Sequence, residues 1–213
     1  MGQKAHPLGL RLGIINNWQS RWFFANKTNY RLSVAEDSRI REELMKRFTI
    51  ASVVEVNIER QINKVLVIIH AVKPGIIIGK GGKGLEEVKN IIVKHLRTSS
   101  AKGKQPKIDI KIEQVKKPFV NARYVAQMIS DKLVRGMPHR GVVHNAMNKV
   151  TEAGAKGVKV QLGGRIGGAE ISRREKYFQG TIPVSTIRED VDFAIVPALT
   201  KSGYVGVKVW ICR

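Results

Sequence analysis

The segment Pro-Gly-Ile-Ile-Ile-Gly-Lys-Gly-Gly-Lys-Gly-Leu, residues 74 to 85, limits the fold of this chain more than any other stretch. Four glycines fall within the six positions 79 to 84, and glycine reaches left-handed backbone without steric cost, so a tight loop belongs here. Behind it lies the apolar run Val65 to Ile69, and ahead of it Leu85, Val88, Ile92 and Leu96 recur at helical spacing. A helix that starts on a glycine loop aims its positive end at that loop, which suits an anion.

Spacing separates the chemistries such a loop can serve. A Walker loop needs Lys where Leu85 follows Gly84, so that motif is absent. Gly79, Gly81 and Gly84 satisfy the dinucleotide pattern G-x-G-x-x-G, but that pattern needs a parallel β-α-β unit closed by an acid. Residues 99 to 107 hold no acid, Asp109 lies inside an alternating strand, and a hairpin before the loop predicts antiparallel pairing. The remaining reading is Gly79-Lys80-Gly81-Gly82 as the G-x-x-G loop of a KH domain, with Lys80 and Lys83 supplying charge beside a groove for unstacked bases. A plain turn with exposed lysines is the bland alternative.

Around the loop, Ile40, Leu44 and Phe48 predict a helix over about 34 to 48. Val54, Val56 and Ile58 predict a strand that forms a hairpin with Val65 to Ile69, and Ile108, Ile110 and Ile112 a half-buried third strand. Residues 99 to 107 read as a basic connector. Pro118 marks a boundary, after which Val125, Ile129 and Leu133, then Val142, Ala146 and Val150 behind Pro138, predict two helices. Strands follow at Val158 to Leu162, at Val191, Phe193 and Ile195, and at Val205 to Ile211. The expected fold class is α+β: an N-terminal α-β-β-α-β core, then an α/β domain with two helices and a mainly antiparallel sheet.

Thirty-eight Lys and Arg against 17 Asp and Glu leave a formal charge of +21, the footprint of a polyanion partner. Residues 1 to 28 carry no acid, 29 to 72 are near neutral, and both later stretches are strongly basic. Trp18, Trp22, Phe23 and Phe24 beside the first cations suit either a core plug or stacking on bases. One cysteine, Cys212, excludes a disulfide framework, and no Cys/His set has zinc-ligand spacing. No membrane-spanning run, G-x-S-x-G elbow or H-E-x-x-H helix is present, so no metal, cofactor, small-molecule substrate, membrane or enzymatic role is expected.

Several further stretches extend the pattern: Met-Gly-Gln-Lys-Ala-His-Pro-Leu-Gly-Leu-Arg-Leu-Gly at the start, residues 74 to 82, Gly154-Ala-Lys-Gly157, Gly164-Arg-Ile-Gly-Gly-Ala-Glu170 and Gly203-Tyr-Val-Gly-Val-Lys-Val-Trp210. Together they resemble the bacterial-type ribosomal protein three family of the small subunit, which carries a type II KH domain. The resemblance implies a basic arm over 1–29, a KH domain over 30–117 and a C-terminal domain over 118–213. It implies a cytoplasmic, bacterial-type ribosome (or an organellar one), with small-subunit ribosomal RNA, neighbouring ribosomal proteins and mRNA at its entrance channel as partners.

By position, the resemblance assigns RNA contacts to Gln3, Lys4, His6 and Arg11 in the arm, to Gly79, Lys80, Gly81, Gly82 and Lys83 in the loop, and to Arg165, Arg173, Arg174 and Lys176. Glycines around Arg165 also suit phosphate approach, or a simple hairpin turn. Arg140 and His144 fall at the mRNA entrance, although Gly141 and His144 stand where the family usually has basic residues. Gly81 and Gly84 likewise replace the Lys and Asp common there. The competing class is a free KH-domain regulator of RNA. Against it, one loop and no flexible linker provide no multivalent gain.

Overall fold

A computed structural model describes residues 5–61, 63–96 and 106–213. In chain order these form helix α1 (Pro7–Leu10), strand β1 (Ser20–Arg21), helix α2 (Lys27–Arg47), strands β2 (Val53–Gln61) and β3 (Lys64–Ala71), helices α3 (Pro74–Ile78) and α4 (Lys83–Leu96), and strand β4 (Lys107–Gln114). Helices α5 (Ala122–Val134) and α6 (His139–Glu152) follow, then strands β5 (Gly157–Gly164), β6 (Arg173–Gly180), β7 (Val191–Thr200) and β8 (Gly203–Cys212). Packing divides the chain into Trp18–Lys116 and a unit joining Met1–Asn17 to Lys117–Arg213. The stretch 1–29 is thus shared between the two units rather than forming one arm.

In the unit Trp18–Lys116, Asn26 caps α2 by accepting from the Thr28 amide, and Ile40 and Leu44 on its inner face are fully buried. Each such side chain contributes about 1.5–3 kcal/mol by leaving water. Its sheet has the order β1-β2-β3-β4. Strands β2 and β3 form the expected antiparallel hairpin, but β4 runs parallel to β3. The pairing objection to a dinucleotide site therefore fails, since β3-α4-β4 is a parallel crossover. What separates the unit from a dinucleotide fold is α3: it intervenes between the end of β3 and the glycines, where the fingerprint joins strand to helix directly. A register shift between Val53 and Glu55 also buries Val53 rather than the expected Val54, because a bulge reverses the alternation.

Deep in this unit, Arg60 Nη1 donates to Glu36 Oε2 at 2.9 Å and Nε to Asp37 Oδ1 at 2.9 Å. Asp37 Oδ2 accepts from Ser20 Oγ and Trp22 Nε1, both at 2.8 Å, which fastens the incoming segment to α2. Trp22 also packs against Phe24 and Tyr30. It is therefore a plug, whereas Trp18 and Phe23 remain 67% and 86% exposed.

In the second unit α5 and α6 cover one face of an antiparallel sheet of order β6-β5-β8-β7. Val125, Ile129, Val142, Ala146 and Val150 are buried as their spacing predicts. Asn121 caps α5, and Gly136 and Gly154 take positive φ just beyond the ends of α5 and α6. Two expectations need correction. The inward face of β7 is Ala194, Val196 and Ala198, while Ile195 is 48% exposed, because the small alanines fit under α5. Residues 173–180, not among the expected strands, form the edge strand β6 paired with β5.

Candidate nucleic-acid interface

At the glycine loop, α3 ends on the Gly79 amide donating to Gly75 O at 3.0 Å. Gly79, Gly81 and Gly82 have φ of 68°, 63° and 80°, a conformation that would strain side chains. A Cβ on Gly81 or Gly82 would meet nothing within 4 Å, so the bare backbone there lies open to an incoming chain. Lys80 and Lys83 are exposed on either side of these glycines, and α4, 14 residues long, begins at Lys83 and adds its positive end. Ile76 and Ile78, 44% and 40% exposed, line the loop with apolar surface. Bare backbone, two cations and an apolar margin can take phosphates on one side and unstacked bases on the other.

The arm residues fare differently. Gln3 and Lys4 lie outside the described residues. His6 caps α1 by accepting from the Gly9 amide and sets its ring edge-on to Phe193 at 5.0 Å. Arg11 is fully buried. Its Nε donates to Glu189 O at 2.6 Å, Nη1 to Pro7 O at 3.0 Å, and Nη2 to Pro183 O, Val184 O and Thr186 O at 3.2, 3.1 and 2.9 Å. Arg11 is therefore no RNA contact: its guanidinium satisfies the carbonyls of the 183–189 turn, which have no strand to pair with.

In the second unit Arg165, Arg173, Arg174 and Lys176 are all exposed. Arg165 Nε donates to Ala169 O at 2.9 Å, folding its side chain over the β5–β6 connection, where Gly167 and Gly168 take positive φ. Strand alternation splits the other three: Arg173 shares the helix-facing side with Glu175 and Tyr177, while Arg174 and Lys176 face the other way.

Around Glu175 a cluster forms that sequence reasoning missed. Arg173 Nε donates to Glu175 Oε1 at 2.7 Å and the Tyr177 hydroxyl to Oε2 at 2.5 Å. His139 Nε2 stands 3.0 Å from Oε2 but off the line of a hydrogen bond, so that contact is electrostatic only. Tyr177 first and Arg173 next hold the Glu175 carboxyl below its ordinary range, and burial first, then Glu175, raises the Tyr177 phenol against the opposing pull of Arg140. The ring of His144 meets Tyr177 edge-on at 5.9 Å. The structure thus brings together Arg140, His144 and Arg173, on α6 and β6. The available signal was the Glu-x-Tyr alternation of a strand.

Among the described residues no His, Cys, Asp and Glu group is arranged to hold a metal, and no helix is long and apolar enough to cross a membrane. Burial pushes the Cys212 thiol up, the opposite of what a nucleophile needs.

The first unit, with its glycine loop between α3 and α4, and the second, with cations on α6 and an edge strand, define an RNA-binding protein built on a KH domain. A family described as KH domain matches residues 39–119, and one described as Ribosomal protein S3, C-terminal domain, matches 129–211. Small ribosomal subunit protein uS3 of Clostridium novyi is 41% identical over 213 residues, covering 100% of this chain and 93% of the relative. The proteins of the same name from Persephonella marina and Listeria monocytogenes are 42% identical, covering 100% of this chain and 90% and 93% of theirs. The chain belongs to the family of small ribosomal subunit protein uS3.

Proposed function

We propose that this chain is a non-enzymatic constituent of the small ribosomal subunit in the cytoplasm, where it binds ribosomal RNA and neighbouring ribosomal proteins. The observation that carries this reading is the open Gly79–Gly82 backbone between Lys80 and Lys83, in a chain whose whole length aligns with small-subunit proteins. No observation favours a free regulator. A single loop holding about four phosphates at a slope near −0.7 each would lose about twentyfold in affinity when salt is tripled, too weak to hold an mRNA alone.

The finer reading gives the cations two tasks. Gly79, Lys80, Gly81, Gly82 and Lys83 face the sugar-phosphate backbone of ribosomal RNA in the subunit head. His6, Arg165, Arg174 and Lys176 add RNA contacts, as do Gln3 and Lys4 outside the described residues. Arg140 and His144, exposed on α6 beside Arg173, line the mRNA entrance.

Sedimentation of the tagged chain in native lysate, at low magnesium and after a high-salt wash, tests the ribosomal assignment. Stoichiometric comigration with the small subunit is expected. A position near the top of the gradient would sink it. For the entrance role, Arg140→Ala should slow translation of a structured message more than of an unstructured one, and equal slowing would remove Arg140 from that role.

A further inference from the structure

The strand registers of the second unit sort its sheet residues onto two faces: α5 and α6 cover one, and on the other α1 and His6 lie against β7, so the open part is that of β6, β5 and β8. On the open face Lys159 stands between Phe178 and Trp210, Gln161 between Lys176 and Lys208, and Gly163 between Arg174 and Gly206. No carboxylate occupies any of these positions, so the β6-β5-β8 part of the face is purely cationic. Phe178 is 75% exposed, with Arg174 and Lys176 exposed on the same side of its strand. Lys159 Nζ lies 5.2 Å from the Trp210 ring centre.

The glycine pair Gly163 and Gly206 leaves a floor without side chains between the cations of Arg174 and Lys208. An exposed aromatic ring among cations on a sheet suits a nucleotide: any base can stack on the ring while its phosphates meet the lysines. Four-stranded antiparallel sheets serve as platforms for unpaired bases by the same geometry. A protein partner would be drawn instead to the aliphatic edge at Ile195 and Leu199, 48% and 58% exposed.

We infer that the open face of β6-β5-β8 is a second RNA-binding surface, which takes an unpaired ribosomal RNA segment with a base on Phe178 and phosphates against Arg174, Lys176 and Lys208. The inference rests on the ribosomal reading above. It divides the cations of β6 by side: Arg173 works with α6, and Arg174 and Lys176 work from the opposite face.

The test places a photoreactive p-benzoylphenylalanine at Phe178 and irradiates purified small subunits containing the substituted chain. A crosslink to ribosomal RNA is expected. A crosslink to a ribosomal protein, or none, would overturn the inference. Should that residue disturb the strand, the double substitution Arg174→Glu and Lys176→Glu decides instead: in competition with the natural chain for incorporation into subunits, it should be under-represented at least tenfold, and equal incorporation would overturn the inference. Absence of the unsubstituted chain from subunits would defeat the ribosomal reading itself, a separate result.

Discussion

Among the described residues, each unit holds an arginine with a buried side chain, Arg60 and Arg11, and the two are neutralised in opposite ways. Arg60 in the first unit faces the carboxylates Glu36 and Asp37, with side chains 5% and 1% exposed across the pairs. Arg11 in the second faces carbonyl oxygens of its own α1 and of the 183–189 turn. The charge pattern puts Arg11 in the acid-free opening stretch and Arg60 in the near-neutral one, yet both are used inside the fold: Arg60 ties β2 to α2, and Arg11 fastens the N-terminal segment to the 183–189 turn. The exposed cations proposed as RNA contacts are carried differently too, by a glycine loop at a helix start in the first unit and by an edge strand and helix in the second.

The contrast is sharpest under mutation. Arg60→Met leaves two buried carboxylates without a cation and should destabilise the first unit by about 3–5 kcal/mol, read as a shift in its denaturation midpoint. A loss below about 1 kcal/mol would mean the ion pair adds little beyond packing. Arg11→Met leaves only dipoles unsatisfied, so a smaller loss of about 2–4 kcal/mol is expected in the second unit. Hydrogen exchange should accelerate at 183–189. If RNA affinity fell while stability stayed unchanged, the buried placement of Arg11 would be wrong.

Smaller still is the effect of replacing Lys80 and Gly81 by Asp in the full chain. Two negative charges beside the open backbone should weaken single-stranded RNA binding at least tenfold, about 1.4 kcal/mol, with far-UV dichroism unchanged. Unchanged affinity would move the interface away from the loop and leave the second unit as the main RNA contact.

How much of this was legible in the sequence also differs between the units. The glycine loop was readable because its residues are adjacent and each acts through its own backbone. The helical stripes through Ile40, Val125 and Val142 were readable because burial follows a fixed period. What failed depended on residues far apart in the chain. The bulge that exchanges Val53 for Val54 arises in pairing with β3, and the inward face of β7 is chosen by the space under α5. Arg11 reads as a cation until the turn some 170 residues later folds over it. The parallel course of β4 was hidden because alternation in a strand carries no direction.

The smallest effect concerns the cluster around Glu175, and it separates the units by their response to salt. In the first unit, the lowered carboxyls Glu43, Asp109 and Glu113 sit in surface contacts with His95, Lys64 and Lys111. Screening by salt should largely erase what these pairs contribute. Glu175, its side chain 18% exposed, is held by Tyr177 and Arg173 within a partly enclosed site. Because its folded pKa lies below the ordinary value near 4.3, its contribution is complete above that value and is lost as pH falls through the folded one. Glu175→Gln should therefore flatten the acid side of the second unit's stability profile by less than about 1 kcal/mol, an effect that survives added salt. Denaturation midpoints of both chains, followed from neutral pH into acid at low and high salt, measure it. Loss of the difference in high salt would make the Glu175 cluster one more surface pair, and would leave Tyr177 and its neighbours on α6 held by packing alone.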